Sequence, residues 1–204
     1  LSQRIPVIAL SAALIVAVTG AREVRSQGMW IVMTYEPSIA VGDAGDFVDE
    51  PGWYGAGLEW RSFKSDHVAW SLSASWQTMY MTTRDLIIMD NVTIGGTQVR
   101  YLEFIPLTVG LEYQPLGRRS RFRPYLGLAG GAYYVKQRME IGTVELIINK
   151  NWQAGVVGQA GISFLTPNMD IYGFIGADYN YVFSRGGSID YTYVTMRLGI
   201  VYLL

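Results

Sequence analysis

Beyond residue 21, apolar positions along this chain recur every second residue, and no stretch keeps a helical spacing of three to four. In "WQAGVVGQAGISF" (152–164), Trp152, Ala154, Val156, Gly158, Ala160, Ile162 and Phe164 share one parity. Gln153, Gly155, Val157, Gln159, Gly161 and Ser163 share the other. A period of two is that of a strand with unlike surroundings on its two sides. "VAWSLSASWQTMY" repeats the pattern, with Val68, Trp70, Leu72, Ala74, Trp76 and Tyr80 against Ala69, Ser71, Ser73, Ser75 and Gln77. The same reading predicts eight strands, at 29–41, 53–63, 68–81, 98–113, 122–137, 152–164, 171–183 and 191–204. Connections after the second, fourth and sixth strands are short, and those after the first and third are longer. That alternation predicts an all-β, antiparallel up-and-down barrel with turns at one rim and loops at the other.

Which face points outward follows from residue size. The less apolar face is rich in Gly, Ala and Ser (Gly55, Gly57, Ser71, Ser73, Gly127, Ala129, Gly131, Gly155, Gly161, Gly176, Gly199), which suits a narrow eight-stranded interior filled by modest side chains. The apolar face carries bulky rings: Trp60, Trp70, Trp76, Tyr80, Trp152, Phe164, Tyr181 and Tyr202. These are expected to face lipid as aromatic girdles, since their rings are apolar and Trp and Tyr have a polar edge that reaches water. Trp70 and Tyr80 are ten residues apart. At ~3.3 Å per residue and a strand tilt near 40°, they lie roughly 25 Å apart along the axis, the height of a lipid-facing band. The barrel is therefore expected to span a membrane.

Seven charged residues share the inner parity: Glu36, Glu59, Arg61, Glu112, Arg123, Asp178 and Arg197. An isolated buried charge is costly, so they are expected to pair in a mixed network that plugs the lumen, the alternative being that some face solvent at the rims. The strand 98–113 leaves its phase open. Strict alternation sets Glu103 beside Ile105, Leu107, Val109 and Leu111, unless Pro106 marks a bulge.

Composition sharpens the picture. Of the 204 residues 50% are hydrophobic and 16% charged, with a net charge of −1, which excludes the basic stripe of a nucleic-acid binder. There is no cysteine, so disulfides and thiolate metal sites are ruled out. Residues 3–21, "QRIPVIALSAALIVAVTGA", join a basic start to an apolar run and small residues at Thr19 and Ala21. This is the layout of a secretory signal peptide at 1–21 ahead of a barrel domain at 22–204; a retained membrane anchor is the alternative.

The last strand ends "RLGIVYLL". Arg197, Gly199, Tyr202 and Leu204 resemble the C-terminal signal by which the outer-membrane assembly machinery selects barrels, although a final Leu departs from its usual Phe or Trp. With "RPYLGLAGGAYY" (123–134) and the stretch from "WYGAGLEWRSF" to "VAWSLSASWQ", the chain over 28–204 resembles the small eight-stranded outer-membrane barrels of Gram-negative bacteria, of the OmpA and OmpX type. The resemblance implies an outer-membrane location, with outer-membrane lipids and the assembly machinery as partners.

Fold does not dictate activity, and three functions compete. The first is a non-catalytic barrel, structural or binding surface ligands through loops 82–98 and 138–151, whose "LIIMDNVTIGG" and "MEIGTVELIIN" are β-prone. Those segments either offer an edge to a partner or pair only with each other. The second is a narrow porin-like conduit or site for small apolar molecules, as in OmpW-type barrels; mixed lumen charges argue against it. The third, an outer-membrane lipid-modifying enzyme, needs a nucleophile beside a base. The sole histidine, His67, falls in the turn "KSDH". The sequence points to no catalytic residue, metal site or cofactor.

Overall fold

The computed structural model describes residues 28–204 apart from 84–85, 90–91, 96, 118–119, 143, 166–170 and 186–188. The expected export signal at 1–21 lies outside the described residues. Among the described residues eleven strands and one helical turn follow in order: β1 (Met29–Tyr35), β2 (Ser38–Val41), α1 (Asp43–Phe47), β3 (Tyr54–Phe63), β4 (Val68–Thr83), β5 (Leu86–Met89), β6 (Val92–Gly95), β7 (Gln98–Tyr113), β8 (Phe122–Ile141), β9 (Val144–Leu165), β10 (Ile171–Val182) and β11 (Tyr191–Leu203). The sheet runs β1-β3-β4-β7-β8-β9-β10-β11, and β11 returns to pair with β1. Every pairing is antiparallel, and closure leaves no backbone edge in the wall.

The first strand is the one place where the wall is assembled from two pieces. β1 and β2 both pair with β11 in one continuous register, Tyr35 opposite Leu198 and Ser38 opposite Thr195. Between them Pro37 has no N–H to give, while its carbonyl accepts from Met196 N at 2.9 Å. Following partners once round the barrel leads from Ile31 through Trp60, Leu72, Val109, Gly130, Val156, Tyr181 and Thr192 to Val41. The return is ten residues further along the same strand (31 to 41). With eight strands, that stagger corresponds to a tilt of about 40°.

Several sequence expectations are corrected in detail. The wall is all-β as expected, and the connection after β2 adds the five-residue turn α1. The predicted loop 138–151 is mostly strand: β8 continues to Ile141 and β9 begins at Val144, with a turn at Gly142 (φ +61°). The loop 82–98 contains the separate hairpin β5–β6. In β7 the phase does not flip. Ile105, Leu107, Val109 and Leu111 all face outward, Pro106 is buried inside, and only the β4 ladder breaks, skipping Ser75–Pro106 and Trp76–Ile105.

The interior also departs from a filling of small residues. Two aromatic layers occupy it. Near the short-turn end lie Trp30, Phe63, Tyr125, Tyr172 and Phe174; near the loop end lie Phe104, Tyr133, Tyr191 and Tyr193 with Met79, Leu102 and Val182. The inward glycines make these rings possible. A Cβ on Gly155 would stand 2.7 Å from the Tyr133 ring, and one on Gly161 would stand 2.6 Å from that of Tyr125. Small residues thus leave room for large neighbours instead of filling the lumen themselves. At the loop end α1 caps the barrel, with Ala44 and Val48 fully buried in the upper layer and Arg100 stacked 5.6 Å over Phe47.

Candidate functional site

Between the two aromatic layers the inward parity of β1, β3, β7, β10 and β11 brings six of the seven predicted lumen charges together. Arg61 Nε lies 2.5 Å from Glu59 Oε1 and 3.0 Å from Glu112 Oε1. Arg197 reaches Glu59 at 2.5 Å, Glu36 at 3.3 Å and Asp178 at 3.5 Å. Glu59 therefore bridges the two guanidinium groups. Arg61 also stacks over Tyr125 and Phe174 at 4.6 and 5.0 Å, so the charge layer rests directly on the lower aromatic layer.

Neutral side chains tie the carboxylates in place. Thr34 Oγ1 and Gln77 Nε2 each donate to Glu36 at 2.6 Å, Tyr193 O–H donates to Gln77 at 3.3 Å, and Gln159 Nε2 donates to Asp178 at 3.3 Å. The seventh residue, Arg123, is positioned differently. It lies toward the short turns, donating to Tyr172 Oη at 2.6 Å and stacking over the Tyr172 and Trp30 rings at 4.0 and 4.7 Å. The charges around Arg61 and Arg197 are not evenly matched: four carboxyls face two guanidinium groups.

The residues that sequence reasoning overlooked here are the inner rings and the amides. Their parity carried the signal, since Tyr125 and Tyr133 share a phase with Arg123, and Gln77 shares one with Ser71. Ring size alone does not mark the lipid face. Inside, the same kinds of ring stack on guanidinium groups.

On the outer surface Trp70, Trp76 and Trp152 are each 46% exposed, and Trp60, Tyr80 and Tyr202 also project outward. Phe164 and Tyr181 lie on the same outer parity but are half-covered. Tyr54, Tyr80 and Tyr101 follow one another at 6.3 and 6.1 Å, and Tyr134 packs on Trp152 at 5.4 Å. Outward residues of β8 from Phe122 to Tyr134 and of β9 from Trp152 to Phe164 carry no charge. Charge begins just above, with Glu103, Lys136, Arg138, Glu140, Glu145 and Lys150. Arg138 lies 2.9, 3.5 and 3.6 Å from Glu140, Glu145 and Glu103, and 4.1 Å over Tyr101.

Within the proposed assembly signal, Arg197 belongs to the lumen cluster, Tyr202 and Leu204 face outward, and Gly199 sits on the seam. Any side chain at Gly199 would run into the Met33 carbonyl of β1.

At the loop end Tyr181 O–H and Ser184 N–H both donate to Asp190 at 2.6 Å, and these bonds hold its carboxyl below the usual carboxylate range. At the other end His67 is an exposed turn residue whose Nδ1 lies 2.9 Å from the Gln114 carbonyl, while Gln114 N–H donates to the His67 carbonyl. The pair laces two short turns together. Among the described residues no group of three or more His, Cys, Asp or Glu could hold a metal ion.

A closed, eight-stranded antiparallel cylinder with a lipophilic outer belt and a charged centre has the fold of a small outer-membrane β-barrel. Solved structures share it. A major outer membrane protein from Thermus thermophilus matches with a TM-score of 0.57 and 11% identity, covering 87% of this chain and 99% of that one. Neisserial surface protein A matches at 0.55 and 12%, covering 86% and 95%. Ail, the attachment invasion locus protein of Yersinia pestis, in complex with the heparin analogue sucrose octasulfate, matches at 0.52 and 17%, covering 87% and 99%. No protein-family model matches the sequence, and no curated protein does.

Proposed function

We propose that this chain is an integral outer-membrane barrel that catalyses no reaction, its lumen closed by the charge cluster and its work done at the loop end. One observation carries the reading: the outer wall of β8 and β9 is uncharged from Phe122 to Tyr134 and from Trp152 to Phe164. At a 40° tilt each stretch rises roughly 30 Å, long enough for a bilayer core. Buried charge inside and exposed indoles outside suit lipid and would be inverted in water. The interlocked acids and arginines, covered on both sides by aromatic layers and capped by α1, support a sealed lumen. Loop-end binding is supported by the tall β8–β9 hairpin, because loops on a rigid scaffold are where recognition usually resides. The attachment named for Ail accords with it.

The test is planar-bilayer recording on protein whose band shifts with heating on a detergent gel. A heat-modifiable protein without unitary conductance is the expected result. Discrete openings would favour the conduit reading instead, and a monomer that is soluble without detergent would overturn both.

A further inference from the structure

The outer faces of β8 and β9 carry a feature that the lumen and loops do not explain. Lys136 stands directly opposite Lys150 in the ladder, one row above the Tyr134–Trp152 ring pair. The carbonyl of Ala154 is taken by Phe183 N–H on the side away from β8. By alternation Lys150, like Trp152 and Ala154, sits at a position not hydrogen-bonded to β8. At such positions facing Cα atoms are about 4.5 Å apart and the side chains lie closest. Like charges so placed oppose each other and weaken the strand pairing. Glu103 faces Lys136 across the β7–β8 ladder, but its carboxylate, like those of Glu140 and Glu145, lies against Arg138 and forms no ion pair with either lysine. Among the described residues neither lysine side chain has an ion pair or hydrogen bond.

We infer that Lys136 and Lys150 together bind the phosphate of a phosphorylated glycolipid in the outer leaflet. These are the first charges above an uncharged wall, at the depth where lipid head groups meet the aromatic girdle. Lysine stems can lie along apolar surface while their ammonium groups reach up to the head group. A phosphate oxygen between the two ammonium groups replaces their repulsion with attraction on both sides. Below it, the Tyr134–Trp152 pair and the outward Ala132, Ala154 and Leu128 offer a smooth wall for acyl chains, which a free anion would not use. The inference rests on the reading that the loop end faces the exterior of an outer membrane.

Native mass spectrometry of the full-length folded protein in detergent tests it, using diphosphorylated lipid A, its dephosphorylated form and inorganic phosphate as probes. Wild type is expected to retain the diphosphorylated lipid well above the dephosphorylated one. Lys136→Gln with Lys150→Gln should lose about thirtyfold in affinity, ~fivefold for each lysine. The double arginine variant should retain binding, and Lys64→Gln, in a turn at the opposite rim, should change nothing. Equal retention of both lipids, or a double glutamine variant that binds like wild type, overturns the inference. Inorganic phosphate binding as tightly as the lipid also overturns it, in favour of a free-anion site. Should the glutamine variant fail to fold, binding by wild type must weaken with added salt, and salt-independent retention is equally fatal. Loss of the heat-modifiable band from wild type would instead remove the barrel reading itself.

Discussion

Removing Arg197 alone would leave Glu36, Glu59 and Asp178 facing one another with a single guanidinium, Arg61, within reach of Glu59. Arg197→Met is expected to destabilise the barrel by about 3–5 kcal/mol, the cost of an uncompensated buried charge. The readout is the urea midpoint of the heat-modifiable form in detergent. Replacing Glu36, Glu59 and Asp178 together with Arg197 by apolar residues of similar volume should recover most of the loss, since such clusters often contribute less than well-packed hydrophobic residues. Asp190 gives a second residue-scale prediction. Its carboxyl is held below the ordinary value by donors from Tyr181 and Ser184, so the contact is favourable above that value and is lost as pH falls through the lowered one. Tyr181 resonances should stay constant from pH 7 to 5 and move only below about pH 4, where carboxylates protonate. Movement at pH 6 would contradict the assignment.

Helix α1 has five residues and no side-chain cap at its start, and a helix this short does not persist alone in water. Its stability comes from Ala44 and Val48 seated in the upper aromatic layer. Ala44→Asp would place a carboxylate there without a partner and should release the connection while the wall survives. Chymotrypsin should then cleave near Phe47 or Trp53 in a protein that still shifts on a heated gel. Little of this element was legible beforehand, because "GDAGDFVDE" has too few residues to display any period. The strands were legible, as each required only a parity switch between lipid and lumen. Their ends above the bilayer were not. Past residue 137 in β8 both faces meet water, so alternation loses its physical cause, and a bulge between Gln137 and Arg138 shifts the register again. The six-residue charge cluster followed from the same parity. The lipid-facing lysine pair did not, because it depends on which residue of β8 stands opposite which residue of β9.

For the whole molecule, balance between wall and filling matters more than either alone. Glycine on the inner parity and aromatic rings across from it are one arrangement viewed from two strands. This explains how an eight-stranded cylinder accommodates five rings at one end and four at the other with two arginines between them. The outer surface follows the opposite rule, with bulk wherever hydrocarbon can accept it and charge only above Tyr134 and Trp152 on the β8–β9 wall.

The seam where β1 and β2 meet β11 joins Trp30 to Leu203, residues separated by almost the entire described chain. Every other junction links consecutive barrel strands and can zip locally. This one cannot begin until seven neighbours have already curved into place. Until then two raw margins of amide and carbonyl groups stand open in a solvent that offers them nothing. Gly199, which lets the last strand press flat against the first, therefore bears on that closing step, and a side chain there would meet the Met33 carbonyl just where the cylinder seals.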